Sequence, residues 1–78
     1  MGVRTLTGEK HELFWDATYA IVMALMEGHP DRTPDNIGLL ELAELVQSLS
    51  GFNDDPGLAT ERILLDIQTV WYEEILSL

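Results

Sequence analysis

Three stretches of helical periodicity, separated by two joints dense in proline and glycine, constrain this chain more than any other feature. The first stretch runs from about Asp16 to Glu27. Thr18, Ile21 and Leu25 share one face with Tyr19, Val22 and Met26 beside them, which predicts a helix with a broad buried stripe. "GEKHELFWD" contains no breaker, so a start near Glu9 is the alternative. Asp16, following Trp15, is an acceptable N-cap and favours the later start. Gly28, His29 and Pro30 then come in the order expected of a helix C-terminus.

The joint "EGHPDRTPDNIG" carries two prolines and two glycines and reads as consecutive turns, with a very short extended piece at Ile37–Leu39. A second helix is predicted from about Leu39 to Leu49. Leu39, Leu42, Val46 and Leu49 lie on one face with Leu45 beside them, opposite Glu41, Glu44 and Ser48. A third is predicted from about Thr60 to Leu76. Ile63, Leu64, Ile67, Val70, Trp71 and Ile75 form its apolar stripe; Arg62, Asp66, Thr69 and Glu73 face solvent, and Glu61 suits the helix dipole. No segment alternates with period two, so a sheet is at most a short two-stranded wing. The expected fold is all-α, a small three-helix domain.

Seventy-eight residues suffice for one core. A chain of this size buries only ~60% of its unfolded surface and has little room to enclose a large pocket. Hydrophobic content of 46% with charged content of 23% is that of a globular rather than a disordered chain. The charge balance is the unusual property: fourteen acids face four bases, a formal net charge of −10. Such a surface repels nucleic acid, because affinity for phosphates comes from Lys and Arg, and it attracts cations and basic proteins. The four bases are too scattered to form a recognition face, so a helix-turn-helix reading would give scaffold without DNA.

There is no cysteine, which excludes disulfides, thiolate catalysis and sulfur-ligated metal sites and fits a cytoplasmic address. The longest apolar run, Ala20–Met26, is far shorter than the ~20 residues of a membrane span. "MGVRTLTGEK" lacks the apolar core of a secretory signal, so none is expected.

Catalytic motifs fail one by one. "HELFW" has Trp15 where a zincin needs its second histidine, and His11 and His29 read as exposed surface residues. Counting Asp54 as the first ligand of a calcium loop puts Leu65 at the twelfth position, where a bidentate glutamate belongs. No glycine-rich phosphate loop is present. The chain is therefore not expected to be an enzyme.

What remains is the acids of the joints and of the last helix: Asp31, Asp35, Asp54, Asp55, Glu61, Glu73 and Glu74. Each alone is best read as a cap or a solvated face. Asp55 before Pro56 is a strong helix-start arrangement, with Phe52 pinning the turn to the core and Asp54 left as a carboxylate spare for a partner. Collectively the acids repel one another, and a cation or a basic partner would offset that repulsion. Carboxylates suit Mg²⁺, Mn²⁺ or Fe²⁺, but without converging His or Cys such a site is weak and unselective.

"ALMEGHPDRTPDNI", "LLELAELVQSLSGFNDDP" and "ATERILLDIQTVWYEE" together resemble the IscX family, small acidic accessory proteins of bacterial iron–sulfur cluster assembly. The resemblance rests on Trp15, on the turn Pro30–Pro34, on the turn Phe52–Pro56, and on Trp71, Tyr72, Glu73 and Glu74. It runs without gaps from about Trp15 to Glu74, which gives a single domain over 15–78 behind an N-terminal extension over 1–14. Thr33, Asn53 and Leu45 depart from the pattern, as do Ser48, Ser50 and Gly51 before the Phe. The resemblance implies a modified winged-helix-like fold and docking of an acidic face on a cysteine desulfurase. It also implies weak Fe²⁺ binding, here at Asp54 and Asp55, with no tightly bound cofactor. The role would be that of iron donor or regulator, and ferredoxin is a second partner it admits. A generic acidic interaction domain outside cluster assembly is the alternative.

Overall fold

A computed structural model describes residues 12–77, and it consists of three helices: α1 (Thr18–Gly28), α2 (Leu39–Gln47) and α3 (Glu61–Leu76). Two short 3₁₀ turns, Pro34–Asn36 and Pro56–Leu58, occupy the joints. Each follows the same logic: a proline fixes φ at the start of the turn, where no N–H is required. Ile37 after the first turn is extended, as the sequence predicts. Among the described residues there is no strand. The wing allowed by the sequence reduces to one isolated parallel bridge between Leu13 and Phe52.

The helices form where periodicity places them because their stripes converge on one core. Ile21, Val22 and Leu25 of α1, Leu42, Ala43 and Val46 of α2, and Leu64, Ile67 and Trp71 of α3 are buried together. The long α3 packs chiefly on α1 and also touches α2 and the first 3₁₀ turn. The α1 stripe is narrower than predicted. Tyr19 is 58% exposed, because α1 packs chiefly on α3 and the flank that carries Tyr19 finds no partner.

Local chemistry sets most of the boundaries. Thr60 caps α3: its Oγ1 accepts from the Ile63 N–H at 3.2 Å. Thr60→Ala is expected to cost about 0.5–2 kcal/mol, read as a lower urea midpoint with unchanged slope; an unmoved midpoint would refute the cap. α2 ends at Gln47, two residues before the predicted end. There the Ser48 hydroxyl donates to the Leu45 carbonyl at 2.7 Å, and a turn closes from Leu49 to Phe52. Gly51 makes that turn possible at φ 90°, a region open to glycine and strained for other residues.

The start of α1 departs from the prediction for a tertiary reason. Asp16 is not the N-cap; Ala17 takes that position without a side-chain hydrogen bond. A turn from Phe14 to Ala17 intervenes, its Ala17 N–H donating to the Phe14 carbonyl at 2.9 Å, and it lets Trp15 swing inward to 2% exposure. Burying that indole moves the helix start to Thr18. The boundary expected after residue 14 falls inside the same packing. Leu13 is a core residue, and its N–H and carbonyl bond Gly51 and Asn53 at 2.8 and 2.9 Å. The rest of the expected extension, with His11, lies outside the described residues, as does Leu78. His29 is half-buried rather than exposed: it closes α1, donating its N–H to the Leu25 carbonyl, and shares a pocket with Trp71 and Ile75.

Candidate functional site

The second joint, Gly51 to Pro56, is held by the segment that precedes α1. The Asp54 carboxylate accepts from two backbone donors, the Trp15 N–H at 3.0 Å through Oδ2 and the Asp55 N–H at 2.7 Å through Oδ1. The Asp55 carbonyl accepts from the Trp15 indole Nε1 at 2.8 Å, while its Oδ1 accepts from the Gly57 N–H at 2.9 Å to cap the 3₁₀ turn. Phe52 completes the cluster, meeting the Trp15 ring edge-on with centroids 4.8 Å apart. The arrangement answers an elementary preference: a buried indole N–H usually finds an acceptor. Asp55 thus has the capping role that its place before Pro56 predicts, and Phe52 pins the turn as expected. Asp54, expected to be spare, has both oxygens engaged within the fold.

That geometry bears on iron as a cargo. Consecutive carboxylates must share one ion while three of their four oxygens already accept N–H groups. Among the described residues no three His, Cys, Asp or Glu side chains gather so as to hold a metal ion. Oxygen-preferring divalent ions take about six donors, more than two carboxylates with three oxygens already engaged can supply.

The other acids are distributed more widely. Asp31, Asp35, Glu61 and Glu73 are exposed, and Glu74 is half-buried. Asp35 and Glu73 meet at one groove, lined also by Pro34, Gln68, Thr69 and Tyr72. Asp54 lines a second hollow with Asp16, Phe14, Trp15, Leu58 and Ile63. Asp31, Glu61 and Glu74 line neither, so the acids form a dispersed field rather than one cluster. Only Glu41 among the described acids is ion-paired, with Arg32 at 2.8 Å, an exposed contact worth ~0–1 kcal/mol.

Two features escaped sequence reasoning. One is the Trp15 attachment to Asp54 and Asp55; its signal was a tryptophan and an aspartate pair in an apolar setting, without any spacing rule to join them. The other is Gln68, whose Nε2 donates to the Pro34 and Ile37 carbonyls at 2.8 and 3.3 Å and fastens the first joint to α3.

A small all-α domain with an acidic surface and an aromatic-pinned aspartate turn defines the class, and comparison with known proteins supplies the rest. The family model described as iron-sulphur cluster assembly matches residues 13–76, starting at the core residue Leu13. The chain belongs to that family, the IscX family, and through it to iron–sulphur cluster assembly. An uncharacterised protein of Pseudomonas aeruginosa is 34% identical over 62 residues, covering 80% of this chain and 94% of that protein. No helix among the described residues is long and apolar enough to cross a membrane.

Proposed function

We propose that the domain is a non-enzymatic adaptor of cytoplasmic iron–sulphur cluster assembly that docks on the basic surface of a cysteine desulfurase. The observation that carries this reading is the unneutralised acid surface: fourteen acids against four bases, with Asp31, Asp35, Asp55, Glu61 and Glu73 exposed. Membership in the family supplies the pathway. Asp54 serves this surface indirectly by holding the turn that presents Asp55, and Glu74 is half-buried. A field of this kind speeds encounter with a basic partner and fixes its orientation more than it adds affinity. Fe²⁺ is at most a weakly held cargo of the Asp54–Asp55 turn.

Exposed charge pairs are screened beyond about 10 Å at 0.1 M ionic strength. Calorimetric titration of a cysteine desulfurase is therefore expected to give measurable heat at low salt and an affinity that falls steeply as salt rises. Absence of heat at low and high salt alike would overturn the proposal. Recovery from cell extract of a different basic protein, with no desulfurase, would favour the generic interaction domain.

A further inference from the structure

We infer that the groove between the Pro34–Asn36 turn and α3 is a docking surface for an arginine side chain carried on a basic segment of a partner protein. The identity of the partner rests on the docking reading above; the chemistry of the groove does not. The hollow has a volume of about 340 Å³ and is lined by Pro34, Asp35, Gln68, Thr69, Tyr72 and Glu73. Its parts divide by chemistry. Pro34 and the Tyr72 ring offer apolar surface, and Tyr72 is 49% exposed, an aromatic left half uncovered on a small domain. Asp35 and Glu73 supply negative charge, and among the described residues neither side-chain carboxylate accepts a hydrogen bond or pairs with a cation.

A long basic side chain satisfies both parts, laying its aliphatic stem on apolar surface while its charged head reaches the carboxylates. Arginine fits better than lysine, because a planar guanidinium stacks on an aromatic ring and bonds a carboxylate with two parallel N–H groups. The groove is also built in advance. Gln68 spends its amide on the Pro34 and Ile37 carbonyls, which holds the turn bearing Asp35 against the helix bearing Tyr72 and Glu73. Little ordering is left to be done on binding. A second copy of the chain is the wrong occupant on charge: each copy carries a formal −10, and a shared groove would bring like carboxylates together. The hollow at Phe14 and Leu58 makes a weaker case, since Asp54 there is already engaged by two N–H groups.

The test is a titration of the isotopically labelled full chain with the peptide acetyl-Gly-Arg-Gly-Arg-Gly-amide and with its lysine counterpart, followed by amide chemical shifts. Shifts are expected at Asp35, Gln68, Thr69, Tyr72 and Glu73, with the arginine peptide binding about threefold or more tighter than the lysine one. Tyr72→Ala should weaken the arginine peptide by about fivefold or more, while Tyr72→Phe, which keeps the ring, stays within about twofold. Absence of shifts, shifts spread over all the acids, or indifference to Tyr72→Ala would overturn the inference. So would concentration-dependent shifts at these residues without peptide, which would place a second copy in the groove. Repeating the desulfurase titration with Tyr72→Ala separates this inference from the wider one. A peptide mapped to the groove with no heat from desulfurase keeps the groove and loses that partner. Desulfurase binding that ignores Tyr72→Ala, with peptide shifts scattered, keeps the partner and loses the groove.

Discussion

Trp15→Ala is expected to remove about 3–5 kcal/mol of stability, the usual cost of truncating a buried large aromatic. The residue is 2% exposed, packs edge-on against Phe52 and donates its indole N–H to the Asp55 carbonyl. A domain of this size has only about 4–12 kcal/mol in total, so the variant should lie near or past the threshold of folding. Thermal unfolding followed by circular dichroism should show the midpoint falling by more than about 15 °C. Trp15→Phe keeps a ring against Phe52 and loses the donor, and its loss should be clearly smaller. A midpoint for Trp15→Ala within about 5 °C of the native one would mean that the segment before α1 is not part of the cooperative unit.

Asp54→Ala comes next in size, at about 1–3 kcal/mol, because it leaves two backbone N–H groups without their acceptor. The informative companion is Asp54→Asn. On a surface with a formal charge of −10, removing a negative charge relieves repulsion, so a merely solvated or ion-binding Asp54 should tolerate asparagine or gain stability from it. As the acceptor of two N–H groups through two oxygens, it should lose stability, since the asparagine amide turns an N–H toward one of those donors. The sign of the shift in urea midpoint therefore decides between the roles. A stabilised Asp54→Asn would refute the internal role and return the carboxylate to the partner or to iron.

Much of the fold was legible because helices advertise themselves locally. Stripes such as Ile63, Leu64, Ile67 and Trp71 specify both the element and the face it buries, and Thr60 marks where α3 begins. Pro56 after Asp55 was readable for the same reason. What could not be read depends on contacts between distant residues. Asp16 has the chemistry of a cap and is denied the role because Trp15 is drawn into the core. α2 stops short of Leu49 because the following turn turns that leucine, still buried, toward the same core. Leu13 lay on the wrong side of the sequence boundary because the apolar run Leu13, Phe14 and Trp15 is too short to show a period. For the acids, residue type announced an electrostatic surface, but only geometry separates Asp54, spent inside the fold, from Asp35 and Glu73, which are free among the described residues.

The bonds from Trp15 to Asp54 and Asp55 join positions 39 and 40 residues apart. Closing a loop of that length costs about 3 kcal/mol of chain entropy beyond a constant term, and nothing in the early part of the chain can repay it alone. On a ribosome Trp15 emerges long before its acceptors exist. The Trp15 bonds and the packing of α3 on α1 both reach across the middle of the chain, so neither can precede synthesis of the second joint. The acidic turn at Asp54 and Asp55 takes its shape only when the domain is whole, and a chain synthesised in part does not display it.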